Sequence, residues 1–319
     1  MESPLQKIRL GISACLLGER VRYDAGHKLD PFLAETFGRY VEWVPVCPEV
    51  EYGLPVPREP MRLEGAPESP RLVTVHSGID HTKGMGRWAE KRLAQLAPME
   101  LRGFVFKSKS PSSGIQGVKV HAPSGKAVRK GAGIFAKAFM DRFPFMPVED
   151  DERLRAPELR DNFIERIFVY ARWREFESAG GAIRDLIAFH SDHKFLILAH
   201  SPRHYTLLGR LVADPKSRRP GTLRLEYLKI LTEALRLEAT KRKNLNVLQH
   251  LAGFLKKQLS GAEKQELYEA VHRYAAGTAP LIVPKILLAH YAGKYDAHYL
   301  KRQYYLNPHP LELMLRNHA

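Results

Sequence analysis

Hydrophobic periodicity changes once along this 319-residue chain, near Asp150, and that change limits the folds open to it more than any single motif. Before it, short apolar runs alternate with helix-like stretches, the signature of an α/β layer on a mainly parallel sheet. Strands are expected at Ile8–Ala14, Val41–Val46, Leu72–His76 and Gly103–Lys107, and helices at Pro31–Phe37, Thr82–Leu96 and Ile134–Arg142. After it, apolar residues recur at helical spacing in Leu159–Phe176, Gly181–Ala199, Thr222–Thr240, Leu245–Leu259 and Ala262–Ala276, which reads as an all-α half. The acidic cluster Glu149, Asp150, Asp151 and Glu152 falls at the change and marks the expected boundary: an α/β domain over 1–150 and a helical domain over 151–319. The length agrees, since domains most often run to roughly 100–200 residues.

Proline tempers two of these assignments. Pro45 lies inside the second strand, where it cannot donate to a ladder, and the five prolines between Pro55 and Pro70 exclude a helix interior or a central strand. That stretch is expected to be an ordered loop crossing the rim of a site.

No apolar run is long enough for a signal segment or a membrane span, because Lys285 interrupts the longest candidate, so a soluble cytoplasmic protein is expected. Only Cys15 and Cys47 carry thiols. A structural disulfide is not expected in that setting, which leaves metal or redox chemistry, with buried inert thiols as the plain alternative.

The formal net charge is +15. Residues 1–150 hold 22 basic and 17 acidic side chains, so the halves carry +5 and +10. Leu101–Met140 contains no Asp or Glu, and its Lys107, Lys109, Lys119, Lys126, Arg129 and Lys130 suit a phosphate track along RNA as well as a solvated basic face.

Candidate chemistry gathers at the ends of expected strands, the edge at which open α/β sheets bind ligands. Cys15 follows the first, Cys47 with Glu49 follows the second, and the Ser110–Gly114 turn follows the last. A carboxylate two residues from a thiol can move protons beside a metal, and a Ser/Pro/Gly turn offers hydroxyls and N–H groups to anions. On spacing alone, two core thiols and a plain turn are an equal alternative.

Taken together, GISACLLG with VRYDAGHK, then VPVCPEVEYGLPVPREPMRL, then FKSKSPSSG resemble the thiouracil desulfidase family, in order and across most of residues 7–145. The later stretch FHSDHKFLILAHSPRHYTLLGRLVA resembles the helical domain that accompanies this module in longer members, which look like tRNA 4-thiouridine desulfidases. The resemblance implies a 4Fe–4S cluster with one open iron. Its three ligand positions fall at Cys15, Cys47 and Ser113, the last a cysteine in the family and a serine here. It implies catalytic roles for Glu49 and Ser110, in a non-redox reaction that replaces the sulfur of a thiolated pyrimidine by oxygen. It further implies tRNA as partner and 4-thiouridine as substrate. Free thiouracil is the rival substrate, and a catalytically silent RNA-binding protein is the rival function that Ser113 raises.

His190, His193, His200 and His204 stand apart from this pattern. Their spacing can place imidazoles on one helix face as zinc ligands, but with no Cys or paired carboxylates nearby they read better as helix-surface or RNA-facing histidines.

Overall fold

The structure, a computed structural model, describes residues 7–122 and 127–309, with only the backbone of Arg129. The chain divides into two compact units between Ala171 and Arg172, inside one helix. The change from sheet to helix comes earlier, between Val148 and Pro157.

The first unit holds β1 (Ile8–Ser13), β2 (Val41–Val46), β3 (Met61–Glu64), β4 (Arg71–Thr74), β5 (Phe104–Phe106), β6 (Val118–His121), β7 (Ala127–Gly131) and β8 (Val148–Asp150). Its helices are α1 (Pro48–Tyr52), α2 (Thr82–Leu96), α3 (Ile134–Arg142) and the first half of α4 (Pro157–Ser178). Strands β2-β1-β5-β8 form a wholly parallel sheet in that order. Pro45 is accommodated because β2 is an edge strand, where a missing N–H breaks no second ladder. Gly11 lets β5 pair closely with β1: a Cβ there would lie 2.1 Å from the Phe104 ring.

A second sheet, ordered β4-β3-β6-β7, mixes antiparallel and parallel pairs. The segment expected at Leu72–His76 belongs here rather than in the parallel sheet. Its partner β3 lies within the proline-rich stretch expected to be loop, because Pro60 and Pro67 flank Met61–Glu64 and leave its N–H groups free to pair. The expected helix at Pro31–Phe37 is a π-type turn, Phe32–Thr36, followed by a 3-10 turn, Phe37–Arg39. Helix α2 serves both cores. Ala89, Leu93 and Leu96 join Phe104, Phe106, Phe135 and Phe139 over the parallel sheet, while Met85 packs with Leu63, Leu72 and Val120 of the second.

The second unit is helical, as the periodicity predicts. After α4 come α5 (Ile183–His200), α6 (Pro202–Ala213), α7 (Pro220–Leu235), α8 (Lys241–Leu255), α9 (Gly261–Ala276), α10 (Ile282–Lys294) and α11 (His298–Lys301). Helix α7 stops at Leu235, five residues short of the expected Thr240. Local signals set other ends: Ser260 and Glu263 form a capping box at α9, and Gly277 closes it in the left-handed conformation. Trp173 is fully buried and stacks on Tyr227 with centroids 5.5 Å apart. No helix among the described residues is long and apolar enough to cross a membrane.

Candidate active site

From β1 the chain runs out to β2 and later returns past β1 to β5, so the connections diverge on either side of β1. Such a switch point opens a crevice at the C-terminal ends of the strands. A cavity of about 340 Å³ occupies it, within the size range of ligand pockets. Cys15, Cys47, Glu49, Ser110 and Ser113 all line it.

Each arrives for a local reason. Cys15 sits in the 3-10 turn Ala14–Leu17 that ends β1, and Gly18 closes that turn at φ 92°. Cys47 is the N-cap of α1, with Pro48 at the first helical position, so Glu49 lies in the first turn, where helix geometry favours a carboxylate. The Ser110–Gly114 turn is pinned by the start of α3. The N–H groups of Phe135 and Ala136 donate to the Ser112 carbonyl at 2.9 and 3.1 Å. Only glycine fits at position 133, because a Cβ would lie 2.3 Å from the Ser112 backbone.

Glu49 is the hub of the polar contacts. Ser112 Oγ donates to Glu49 Oε1 at 2.6 Å, Cys47 Sγ donates to Oε2 at 3.6 Å, and the Arg58 guanidinium lies 3.8 Å from Oε2. Ser110 Oγ lies 3.0 Å from Ser112 Oγ and accepts from the N–H groups of Ser112 and Ser113. Since the Ser112 proton points to Glu49, Ser110 is the donor of that pair, and a hydroxyl chain runs from Ser110 through Ser112 to the carboxylate. Burial pushes the Cys15 thiol up to about 11, against the opposing charge of Lys107. Burial, with nearby Glu49, pushes Cys47 up to about 12. Both are therefore protonated near neutral pH and must release protons to bind metal.

Ser112 is wholly buried and committed to Glu49, whereas Ser113 lines the cavity with the two thiols. Two soft donors and one hard oxygen thus face one space, each from a different loop.

The basic residues divide. Lys107 lines the cavity with its ammonium 2.8 Å from the Asp151 carboxylate, which also accepts the Ser108 N–H at 2.7 Å. Lys109 pairs with Glu152 at 2.8 Å. Lys119 and Lys130 are exposed on the β6–β7 hairpin. Lys126 and the Arg129 side chain lie outside the described residues.

Three of the histidines are not helix-surface groups: His190, His193 and His200 are buried, and His204 is half-buried. His193 accepts from Arg172 Nε at 3.0 Å through Nε2 and donates to the Phe189 carbonyl at 2.7 Å through Nδ1. His190 bonds the Tyr227 hydroxyl, His200 the Leu237 carbonyl and His204 the Ser201 hydroxyl. Each is matched to a different partner, and no group of three metal-capable His, Cys, Asp or Glu occurs among the described residues.

Sequence reasoning missed Ser112 and Arg58. Nothing in a Ser-Pro-Ser-Ser turn distinguishes one hydroxyl from the next, and Arg58 sits in the proline-rich stretch with no spacing signal.

A parallel-sheet domain with two thiols, a carboxylate and a serine turn at its switch point defines a class, and the family comparison agrees with it. Residues 10–151 match the 2-thiouracil desulfurase family, and the chain belongs to that family through its α/β part. Residues 194–310 match a second family, described as a protein of unknown function, DUF1722. A solved structure, that of the 4Fe–4S-dependent thiouracil desulfidase TudS, is 32% identical, covering 48% of this chain and 96% of its own, with a TM-score of 0.39. The Escherichia coli K12 protein YbgA, described as uncharacterized, is 28% identical over 158 residues, covering 49% of this chain and 94% of its own.

Proposed function

We propose that this protein removes sulfur from a thiolated pyrimidine, converting 4-thiouridine in tRNA to uridine. The convergence of Cys15, Cys47, Ser113 and the Glu49 hydroxyl chain on one cavity carries the reading. The Cys15 and Cys47 thiolates and the Ser113 oxygen would hold a 4Fe–4S cluster, with one thiolate fewer than the family resemblance implies. Bound there, the cluster supplies a thiophilic Lewis acid for the exocyclic sulfur.

The chain's own residues do the rest. Glu49 takes a proton from the water that attacks the ring carbon and returns one to the departing sulfur or the ring. Ser112 holds Glu49 Oε1 in place, and Ser110 at the cavity wall extends the route by which that proton moves. Arg58 keeps positive charge beside the carboxylate. RNA contact falls to the exposed Lys119 and Lys130 and to the basic helical part, since Lys107 and Lys109 have carboxylate partners.

The test is anaerobic reconstitution with iron and sulfide of the wild type and of Ser113→Cys, followed by incubation with thiouridine-containing tRNA and with free thiouracil. Ser113→Cys is expected to take up about four irons per chain, absorb broadly in the visible and convert the tRNA to its uridine form with release of sulfide. The wild type is expected to hold less iron and turn over more slowly. Conversion of free thiouracil alone would remove the tRNA assignment. Binding of tRNA with the thio group intact in both proteins would leave an RNA-binding protein and overturn the reading.

A further inference from the structure

The segment Cys47-Pro48-Glu49-Val50-Glu51 carries two carboxylates on one short helix, and the fold sends them to different places. Glu49 lines the cavity, where it meets Ser112 and Arg58. Glu51 stands outside the lining and turns back onto the backbone of Cys47. Its carboxylate accepts the Cys47 N–H through Oε1 at 3.0 Å, while its own N–H donates to the Cys47 carbonyl at 3.0 Å. One residue therefore holds Cys47 by both of its backbone polar groups. The side-chain bond resembles the returning half of a capping box, made one position later in the helix.

The other oxygen of Glu51 is engaged as well. Oε2 lies 2.9 Å from Arg92 Nε, and the Arg92 side chain is 17% exposed. Arg92 belongs to α2, the 15-residue helix that enters both cores through Met85, Ala89, Leu93 and Leu96. Helix α1 has five residues, far below the roughly 12–15 at which an isolated helix is even marginally stable in water, so tertiary contacts have to set its position. Its far end is closed by Gly53 at φ 108°, with the N–H groups of Gly53 and Leu54 donating to the Val50 and Glu49 carbonyls. At the near end, where Cys47 is the N-cap, the tie to α2 runs through Glu51.

We propose that Glu51 and Arg92 are a positioning pair for Cys47: the carboxylate fixes the Cys47 backbone, the guanidinium fixes the carboxylate to α2, and together they hold the thiol and Glu49 at the cavity wall. The inference rests on the desulfidase reading for what Cys47 is positioned to do, while the positioning itself belongs to the chain with no cluster bound. Neither residue lines the cavity, so both act through Cys47 and not on the reacting atoms. Both links involve charged groups, whose hydrogen bonds and ion pairs are shorter and stronger than neutral ones, as holding a side chain at one angle requires.

Alkylation of the full-length, metal-free protein with iodoacetamide, read by mass spectrometry of the Cys15 and Cys47 peptides, tests this with Cys15 as internal control. Glu51→Ala is expected to speed modification of Cys47 by about tenfold, the scale of one hydrogen bond to a charged group, and to leave Cys15 at the wild-type rate. Arg92→Ala is expected to act in the same direction, and the double variant to show less than the product of the two single effects, because both break one linkage. Arg92→Lys, which keeps the positive charge, is expected to return Cys47 close to the wild-type rate. If the alanine variant at 51 unfolds, seen as equal acceleration of both cysteines, Glu51→Gln decides: it keeps an acceptor for the Cys47 N–H but loses the charge that holds Arg92. Faster modification of Cys47 alone in that variant supports the pair. Wild-type rates at both cysteines, or equal acceleration of both, overturns it, as do single effects that multiply in full in the double variant. Failure of the desulfidase reading looks different: the alkylation pattern would persist while reconstituted Ser113→Cys protein removed sulfur from no thiolated pyrimidine.

Discussion

Cys15 and Cys47 at the sheet edge and His190 and His193 on α5 look alike in sequence: pairs of metal-capable side chains among apolar neighbours. In three dimensions they part. The two thiols face a cavity, and the contacts of Cys47 are long sulfur contacts, 3.8 Å to the Val21 carbonyl and 3.6 Å to Glu49. The imidazoles face packed helices, and His193 has both nitrogens matched to protein partners at 3.0 Å or closer. A donor already satisfied inside a packed core holds the fold together, while one aimed into a cavity is available to a ligand.

The sharpest way to break this comparison is Glu49→Gln in the Ser113→Cys background. It keeps the shape but removes the titrating group, so turnover is expected to fall by roughly 100-fold or more with iron content and visible absorption unchanged. Unimpaired turnover would make Glu49 a structural carboxylate, no different in kind from the histidines.

The reverse test is acid. Burial lowers His190 from 6.5 to about 4, with Lys194 adding to the effect, and lowers His193 in the same direction. A histidine depressed in the folded state contributes stability above its unfolded value. That contribution is lost as pH falls from 6.5 through about 4, because the unfolded chain binds the proton first. For His190 the loss by pH 5 is on the order of 2 kcal/mol. Hydrogen exchange read by mass spectrometry should show amides of α5 losing protection between pH 6.5 and 5, after correction for the intrinsic rate. Unchanged protection would mean the imidazoles are not buried as neutral groups.

A smaller effect separates two serines that the sequence does not. Ser112→Ala removes the bond to Glu49 Oε1 and is expected to slow turnover by about tenfold, with iron uptake unaffected, the size of one hydrogen bond to a charged group. A loss of iron instead would place Ser112 rather than Ser113 among the ligands.

The smallest expected effect concerns RNA. Replacing Lys119 and Lys130 together by Gln should weaken tRNA binding a few-fold and lower the dependence of log K on log salt by roughly one to two units, measured by filter binding. Lys109→Gln should do less, because Glu152 already neutralises that ammonium. An equal effect of Lys109 would restore it to the phosphate track.

That last contrast shows where linear reading stops. Leu101–Met140 is free of acids in sequence, yet Asp151 and Glu152, one strand later, fold back onto Lys107 and Lys109. Charge along the chain is not charge in space, since β5 and β8 are neighbours in the sheet and bring their ends together.

The sequence by itself determined the local order: β1 and β2, the helices Thr82–Leu96 and Ile134–Arg142, the helical second half, and the three segments that end at the cavity. Those follow from periodicity and from turn residues, which act over a few positions. The tertiary structure decided what depends on distant partners. It placed β3 and β4 in a second sheet and buried His190, His193 and His200. It also chose between Ser112 and Ser113, because only the packing of Gly133 and the start of α3 against the turn turns one hydroxyl toward Glu49 and leaves the other facing the thiols.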